Sequence, residues 1–377
     1  MKEVLNKQQC SGCTACMNIC PVKAITMWED NDGFKYPRID EDKCINCGKC
    51  QKICPVINTN HNNSLNNCYV AYAKDNNLKE KSSSGGIFPL LAYYILNQQG
   101  IVIGATLEKG TLKHIAIKET KDLTKLQGSK YLQSELGNIF TYIKDNLPNT
   151  KILFVGTPCQ VAGLKAFIPE NSDNLICLDF FCRGIPTPKL FKKYIAELER
   201  EHNENVQHYN FRDKSTGWDN YSNSIKFKTK IIKEKAPKNN YMKLFLSNFP
   251  LRNSCYDCNF KLRNKYSDLT LGDFWGVKKY YPKMYEQNGV SAVIINTEKG
   301  QIIFNAIKND LVSKECLLNE IARGNSSLIK SCSKPTKREE FFQNMNKLST
   351  SQLAKKYCPN NYIKKIIKKI KILKGDK

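Results

Sequence analysis

The chain has 377 residues, of which 41% are hydrophobic, and this is enough to form ordinary cores in two or three domains. Its longest apolar stretch, residues 88–96, is far shorter than the roughly 18 residues that indicate a membrane span. The N-terminal residues lack the apolar core of a signal peptide, so we expect a cytoplasmic protein.

The chain has 17 cysteines and a formal net charge of +24. Thiols are kept reduced in the cytoplasm, so the cysteines are more typical of metal ligands or catalytic groups than of disulfides. The charge is uneven: residues 1–58 carry eight Lys/Arg against seven Asp/Glu, and residues 355–377 carry nine Lys against one Asp. No recognition motif accompanies this charge, so we expect no nucleic-acid partner.

The first 58 residues contain the motif C-x2-C-x2-C-x3-C-P twice, beginning at Cys10 and at Cys44. Three cysteines at this spacing can wrap one side of a [4Fe-4S] cluster, and in two-cluster ferredoxins the fourth ligand comes from the other repeat. The ligands assigned in this way are Cys10, Cys13, Cys16 and Cys54 for one cluster and Cys44, Cys47, Cys50 and Cys20 for the other. Structural zinc is the alternative, but zinc sites favour two pairs of ligands. The spacing resembles the bacterial two-cluster ferredoxin module and predicts an α+β ferredoxin-like head that transfers single electrons.

Residues 59–67 are polar and Asn-rich, which is typical of a linker. Beyond them, apolar runs alternate with helical patterns, which predicts an α/β body in two modules, 68–150 and 151–350. The predicted strands are 68–73, 101–107, 113–118, 151–155 and 175–181, and the predicted helices are 85–99 and 187–202. One more strand and helix, without evident chemistry, are expected after about residue 285.

Two glycine-containing turns in the body are candidates for binding a cofactor. KSSSGGIFPLL, residues 81–91, offers hydroxyls and backbone N–H groups at a helix start, which suits a pyrophosphate but also fits a simple N-cap. QGSKYLQS, residues 127–134, places a lysine beside a Gly-Ser turn, and a surface loop is the alternative. The sequence contains no G-x-G-x-x-G or Walker motif, so a Rossmann or P-loop site is not predicted.

Four cysteines of the body are candidates for a third iron-sulfur site. Cys159 lies in the turn VGTPCQVAGLK, Cys182 follows a predicted strand, and Cys255 and Cys258 have the C-x2-C spacing. Loops at strand ends gather ligands in α/β proteins, so these thiols could converge on one cluster. A dithiol redox pair at 255 and 258, half of a zinc site, and inert buried cysteines are the alternatives.

Six motifs in this body resemble the coenzyme F(420) hydrogenase/dehydrogenase beta-subunit family. They are SSGGIF, GSKYLQS, GTPCQVAGLK, CRGIPTP, CYDC and SDLTLGDFWG. The resemblance implies an FAD-dependent iron-sulfur oxidoreductase in which flavin connects one-electron clusters with a two-electron hydride carrier. It also implies a set of FAD-binding residues, which are Ser84, Gly85, Gly86, Lys130, Gly156 and Thr157. The same resemblance makes Cys159, Cys182, Cys255 and Cys258 ligands of a third [4Fe-4S] cluster.

Arg183, beside Cys182, is the candidate catalytic residue, since its charge could stabilise reduced flavin or an acidic substrate; a structural salt bridge is the alternative. Asp273 and Trp275 could line the same cleft, although a buried tryptophan is more often part of a core. The four histidines form no ligand pattern, and no role is assigned to them. The remaining cysteines, expected to be small apolar fillers, are Cys68, Cys177, Cys316, Cys332 and Cys358.

The expected partners are a soluble ferredoxin or another redox protein and a small-molecule hydride carrier or substrate. Members of the family differ in substrate, so deazaflavin coenzyme F(420), NAD(P)H and a polysaccharide-linked compound all stay open. An electron-carrier subunit without its own substrate site is the main alternative, and a zinc-dependent interaction protein is a third.

The tail at residues 355–377 is predicted to be a basic amphipathic helix. Ile363, Ile366, Ile367 and Ile370 recur at helical spacing, and lysines fill the other face. Such a helix could lie on an anionic membrane at its inner face or bind an acidic partner. A frayed, solvated helix is the alternative.

Overall fold

The computed structural model describes residues 4–58, 65–168, 172–262 and 265–359, which form three sheets with helices packed around them. The strands are β1 (Ile25–Glu29), β2 (Lys35–Ile39), β3 (Asn67–Ala73), β4 (Ile101–Glu108), β5 (Thr111–Ile117), β6 (Ile152–Val155), β7 (Leu175–Phe180), β8 (His208–Asp213), β9 (Ser222–Lys226), β10 (Ile231–Lys235), β11 (Leu269–Asp273), β12 (Ser291–Ile295) and β13 (Leu311–Glu315). The helices are α1 (Ala15–Ile19), α2 (Lys49–Lys52), α3 (Asn76–Lys81), α4 (Ile87–Leu96), α5 (Ile139–Asn146), α6 (Pro158–Phe167), α7 (Pro188–His202), α8 (Asn240–Leu246), α9 (Val277–Tyr280), α10 (Glu298–Ala306), α11 (Leu318–Gly324), α12 (Arg338–Met345) and α13 (Thr350–Tyr357).

The two cysteine motifs of the head fold in the same way. In each, the second and fourth residues after the first cysteine have positive φ angles: Gly12 and Thr14 in one repeat, and Asn46 and Gly48 in the other. A short helix follows each turn, α1 in the first repeat and α2 in the second, and the two helices contact each other. The strands β1 and β2 form an antiparallel hairpin between the repeats. The internal repeat of the sequence is therefore a structural repeat.

The body is built on an eight-stranded mixed sheet with the order β13-β3-β12-β11-β7-β6-β4-β5. Strands β4, β6, β7 and β11 run parallel to one another, and the other pairings are antiparallel. All five predicted strands and both predicted helices are present, as are the strand and helix expected after residue 285, now β12 and α10. The sheet takes strands from both sides of residue 150, where the sequence predicts a boundary between two modules.

A second layer, formed by β8, β9 and β10 with α7, α8, α12 and α13, is not predicted from the sequence apart from α7. Its core is aromatic, and rings such as Phe191, Phe211 and Tyr241 pack at centroid distances of 5.1 to 6.0 Å. The strand β10 has exposed and half-buried residues in alternation, without a continuous apolar run. The buried strands of the large sheet can therefore be recognised by their apolar pattern more readily than β8, β9 and β10.

The head packs on the body through the turn between β1 and β2. Thr187, the N-cap of α7, donates its hydroxyl to the carbonyl of Asp32 at 2.6 Å, and Lys189 Nζ donates to the carbonyl of Asn31 at 3.0 Å. A Cβ at Gly33 would lie 2.5 Å from Lys189 Cβ, so only glycine fits this contact. The head therefore lies directly against the body.

Two predicted segments lie wholly or partly outside the described residues. Residues 59–64 of the predicted linker lie outside the described residues. Its last residue, Asn67, is the first residue of β3. The isoleucines of the predicted tail helix also fall outside, since the described chain ends at residue 359, just after α13. In the part of the chain that is described, no helix is long and apolar enough to cross a membrane.

Candidate functional site

A cavity of about 420 Å³ opens at the carboxyl ends of the parallel strands. The loop after β6 and the loop after β7 line it, together with the end of β11. In α/β sheets this edge is where ligands bind, because the loops that leave adjacent strands meet there. Its volume lies in the range of about 300–1,000 Å³ that is usual for small-molecule sites.

Five of the six predicted FAD-binding residues line this cavity: Ser84, Gly86, Lys130, Gly156 and Thr157. The sixth, Gly85, lies behind it, and its N–H donates to Ser291 Oγ at 3.0 Å. A Cβ at Gly85 would come within 2.7 Å of the carbonyl oxygen of Ala71. Gly85 therefore serves to bring the loop close to the sheet and does not itself reach the cavity.

Hydrogen bonds connect the three predicted turns around the cavity. Ser83 Oγ accepts from the backbone N–H of Ser129 at 2.6 Å, which joins the SSGG and GSKY turns. Gln160 Nε2 donates to Ser134 Oγ at 2.9 Å, and Gln160 Oε1 accepts from Thr157 N at 2.9 Å. One glutamine thus connects the GSKY segment with the GTPC turn, and the three turns form a single structure.

The lining of the cavity combines polar and apolar residues. Serines and glycines of the SSGG and GSKY turns contribute hydroxyl and backbone groups, and aliphatic and aromatic side chains contribute apolar surface. The apolar wall residues include Leu112, Leu126, Leu132, Met242 and Phe245. This donor set fits a ligand with a phosphate-bearing end and a planar apolar ring, as FAD has.

Lys130 is the cationic side chain at the GSKY turn. Its Nζ donates to the carbonyl oxygens of Leu126 at 2.9 Å and Gln127 at 2.8 Å, which are neutral partners. Burial lowers the pKa of Lys130 to about 7. His114, which also lines the cavity, has its pKa lowered to about 4 by burial, and burial also lowers the pKa of His208 nearby. Of Lys130 and His114, which both line the cavity, Lys130 is the one whose pKa lies near neutral pH.

We predict that the affinity for a phosphate-bearing ligand falls by about tenfold as the pH rises from 6 to 8. Lys130 is protonated below a pH of about 7 and loses its charge above it, while His114 is neutral throughout this range. The measurement is the dissociation constant of FAD at several pH values. The arginine of Lys130→Arg stays charged, so this variant should bind FAD with the same affinity across the range. If the affinity of Lys130→Arg fell with pH as the wild-type affinity does, the prediction would be wrong.

Arg183 lines the cavity, but its guanidinium is held by protein atoms. Nε and Nη2 donate to Asn248 Oδ1 at 3.1 and 2.9 Å, and Nη2 also donates to the carbonyl of Leu246 at 3.0 Å. These partners are neutral, so Arg183 brings a positive charge to the cavity wall. Asp273 and Trp275, also predicted at this cleft, line the same cavity.

A second cavity, of about 320 Å³, contains all four candidate cysteines of the body. Cys159 comes from the start of α6, Cys182 from the loop after β7, and Cys255 and Cys258 from the loop before β11. Residues 181–185 line both cavities, so the cysteine-lined cavity adjoins the larger one. Three loops, two of which follow strands β6 and β7, thus bring together thiols that are far apart in sequence.

The four thiols lie close enough for their charges to interact. Burial raises the pKa of Cys159 to about 12, opposed by the Thr157 hydroxyl and reinforced by Cys258. Burial also raises the pKa of Cys182 to about 12, with Cys159 and Cys258 adding to the increase. For Cys255 the pKa is raised by burial and then by Cys182. Four thiolates in this place therefore need a strongly positive partner, and iron is such a partner.

The first head cluster's predicted ligands are grouped in the same way. Burial raises the pKa of Cys13 to about 12, with further increases from Cys10 and Cys54, and it raises the pKa of Cys16 with the help of the same cysteines. Among the described residues no set of three or more His, Cys, Asp or Glu is placed to hold a single metal ion. A four-iron cube, however, binds each thiolate to a different iron, so its ligands lie further apart than those of one ion.

The head and the cysteine-lined cavity meet at helix α6. Gly163 lies one turn after Cys159 on this helix, and a Cβ at Gly163 would be 2.9 Å from both Cβ and Sγ of Cys13. Cys13 also contributes to the raised pKa of Cys159. One predicted ligand of the head therefore lies beside one predicted ligand of the body.

We predict that Gly163→Ala lowers the free energy of unfolding by about 1–2 kcal/mol. The added methyl group clashes with Cys13, and the cost of this clash exceeds the stabilisation that alanine gives to a helix. Urea unfolding and the iron retained by the head measure this effect. Gly104→Ala is the control, since its Cβ would make an ordinary 3.4 Å contact with Leu126. A Gly163→Ala protein as stable as the wild type would refute the close contact.

Arg252 is a fully buried cation at the same interface, with 0% exposure. Its Nε donates to the carbonyl of Cys10 at 2.7 Å, and Nη2 donates to the carbonyl of Lys35 at 3.0 Å and contacts Cys10 Sγ at 3.7 Å. Its Nη1 donates to Gln133 Oε1 at 3.1 Å, and the guanidinium carbon lies 4.1 Å from the centre of the Tyr36 ring. Sequence reasoning missed this residue, because nothing in the local pattern distinguishes it from a surface arginine.

Comparisons with known proteins support this organisation. Residues 149–317 match the family model for the C-terminal part of the coenzyme F(420) hydrogenase/dehydrogenase beta subunit, and two models of a 4Fe-4S dicluster domain match residues 9–58 and 36–87. Over residues 149–317 the chain is similar to the coenzyme F(420) hydrogenase/dehydrogenase beta-subunit family, and its N-terminal end matches a 4Fe-4S dicluster domain. The predicted resemblance and the predicted iron-sulfur head are thereby confirmed.

Among solved structures, the chain is similar to a chain of the xenon-derivatised F(420)-reducing [NiFe] hydrogenase complex from Methanosarcina barkeri. The identity is 17%, the match covers 82% of this chain and 92% of that chain, and the TM-score is 0.48. No curated protein matches the chain.

Proposed function

We propose that this protein is an FAD-dependent iron-sulfur oxidoreductase with a third [4Fe-4S] site in its body. The observation that carries the proposal is the shared wall at residues 181–185, which puts the four-cysteine cavity next to the larger cavity. A redox protein needs its centres close together, and this arrangement would place the third cluster next to the flavin.

The proposed ligands of the third cluster are Cys159, Cys182, Cys255 and Cys258. Their burial and mutual repulsion suit a site that is stable as thiolates only with iron bound. The side chain of Lys261 lies near and donates to the carbonyl of Cys182 at 2.9 Å, so it contributes a positive charge that favours the thiolate of Cys182.

The proposed FAD-binding residues are those of the three connected turns. Ser84, Gly86 and Lys130 would hold the phosphates, and Gly156 and Thr157 would lie at the ring. Gly85 would act indirectly, by bringing the SSGG loop close to the sheet. Arg183 would place a positive charge near the ring, and the apolar walls would exclude water. When bound, the clusters would supply one-electron transfer and the flavin would couple it to two-electron chemistry.

The cysteine groups lie in an order that runs from the surface to the larger cavity. Cys47 is exposed, Cys10 and Cys13 are buried, and Cys13 lies beside α6, which carries Cys159. We therefore propose that a soluble ferredoxin or another redox protein exchanges electrons with the Cys44–Cys50 end of the head. A cytoplasmic location and a tail that binds an anionic membrane or an acidic partner stay predictions from the sequence.

The test is to purify the protein without oxygen and to measure its iron and its extracted flavin. About twelve irons and one FAD per chain are expected. About eight irons without flavin would contradict the proposal and favour an electron-carrier subunit without its own substrate site.

The two-electron partner is best found by screening. Reduced coenzyme F(420), NADH and NADPH should be mixed in turn with the anaerobic protein while the flavin absorbance is followed. We propose that one of these hydride donors is oxidised and bleaches the bound flavin, and that a polysaccharide-linked compound is the two-electron partner if none of them is oxidised.

A further inference from the structure

Arg212, on β8, is a lining residue of the larger cavity, and its guanidinium is buried. Its side chain is 4% exposed and its Nη1 donates to Asp273 Oδ2. Nε and Nη2 have no hydrogen-bond partner anywhere in the described parts of the chain. These two groups form one side of the planar fork, the side that binds two oxygens of a carboxylate or phosphate.

The surrounding residues hold this fork in place before any ligand arrives. Asp273 Oδ1 accepts from Trp218 Nε1 at 2.9 Å, so both oxygens of Asp273 are occupied. The guanidinium carbon lies 4.4 Å from the centre of the Tyr221 ring and 5.6 Å from that of Trp275. Trp218 and Trp275 stack at 4.6 Å. A fixed donor pair loses little freedom when a ligand binds.

The charges around the cavity also favour an anion. Asp273 balances Arg212, and Asp179, the other acidic group in the wall, pairs with Lys265 at 2.8 Å. Lys130 and Arg183 then remain as positive charges whose bonded partners are neutral oxygens. Arg183 differs from Arg212 in that its Nε and Nη2 are already bonded to protein atoms.

We infer that Arg212 is the oxyanion-binding residue of this cavity and that the ligand presents a carboxylate or phosphate to its Nε and Nη2. This inference rests on the proposed function only in that the cavity binds a ligand. The oxyanion could belong to FAD itself, through its phosphates, or to an acidic group of the second substrate. Both sources share the same chemistry, and the experiment below distinguishes them.

The test uses the full-length anaerobic protein and compares the wild type with Arg212→Gln, Arg212→Lys and the exposed control Arg200→Gln. Binding of FAD, and of riboflavin, which lacks phosphate, is measured by flavin fluorescence. Binding of inorganic phosphate and acetate to the FAD-loaded protein is measured by tryptophan fluorescence, because Trp275 lies beside the arginine. We expect oxyanion affinity to fall by about 10- to 100-fold in Arg212→Gln and less in Arg212→Lys, with no change in Arg200→Gln.

A loss for FAD but not for riboflavin would identify the FAD phosphates as the source. A loss for phosphate and acetate, with FAD binding unchanged, would identify the second substrate. Unchanged affinity for FAD and for both anions in a folded Arg212→Gln protein would overturn the inference and leave the proposed function intact. If the wild type bound no flavin but bound phosphate, and if Arg212→Gln lost this phosphate binding, the proposed function would be wrong and the inference about Arg212 would stand.

Arg212→Gln leaves Asp273 without its cation, and this could prevent folding. The double variant Arg212→Gln with Asp273→Asn removes both charges, and its thermal unfolding is compared with that of the wild type. If only the double variant folds, its oxyanion affinity decides the question by the same criteria.

Discussion

Replacement of Cys159 by serine is expected to lower the iron content from about twelve to about eight per chain. A serine hydroxyl is a poor ligand for iron, and Cys159 lies among the other three proposed ligands in the cavity beside α6. The head clusters should be retained, because their cysteines belong to a separate part of the chain. Iron analysis and the electron paramagnetic resonance spectrum of the dithionite-reduced protein measure this change.

Two other cysteines provide controls for this experiment. Cys68 is buried on β3, away from the cavity, and Cys68→Ser should keep all the iron. Cys332 is a more demanding control, since it lies near Cys258 and its Sγ donates to the carbonyl of Arg183 at 2.9 Å. If Cys159→Ser kept full iron while Cys332→Ser lost four irons, the proposed ligand set would be wrong.

Replacement of Arg252 by alanine is expected to lower the free energy of unfolding by about 3–5 kcal/mol. The change leaves the carbonyls of Cys10 and Lys35 and the amide oxygen of Gln133 without their buried donor, and it removes the contact with Tyr36. Thermal and urea unfolding measure the effect, with Arg200→Ala as the exposed control. A loss below about 1 kcal/mol would show that the interface tolerates the empty space.

The Arg252 variant has a second readout that a purely structural role would not change. The guanidinium lies beside Cys10 Sγ, and its charge opposes the rise in the pKa of Cys159. Removal of this positive charge makes the addition of an electron to a nearby negative cluster less favourable. In Arg252→Ala that folds, a redox titration should therefore show a more negative potential, and Arg252→Lys should restore most of it.

The head could be predicted in detail because its spacing leaves few alternatives. Four cysteines and a proline at fixed intervals, repeated once, predict a dicluster domain, and the two repeats fold with positive φ angles at the same positions. The buried strands of the large sheet could also be predicted, because β6 is apolar throughout and β12 is apolar after Ser291, and such short apolar runs are typical of buried strands.

The features that could not be predicted from the sequence depend on contacts between segments that are distant in the chain. The layer of β8, β9 and β10 alternates polar and apolar residues irregularly, and β8 contains a bulge between Asn210 and Asp213. Arg212 lies in this bulge, so no pattern indicated that it faces a cavity. Arg252 gains its partners from the head, more than two hundred residues earlier in the chain. The strand-end rule indicated the grouping of Cys159 and Cys182, and the C-x2-C spacing indicated the pair Cys255 and Cys258, whereas their role as ligands stays a proposal.

The central claim is that electrons pass from the head to the larger cavity through a cluster for which Cys159 is one of the ligands. Its most direct test is to mix FAD-loaded protein rapidly with reduced ferredoxin and to follow the flavin absorbance. Changes around metal ligands already cost about 10- to 100-fold in activity. The account predicts bleaching in the wild type and in Cys68→Ser, and bleaching at least about 100-fold slower in Cys159→Ser although its head is still reduced. Bleaching of Cys159→Ser at the wild-type rate would contradict it.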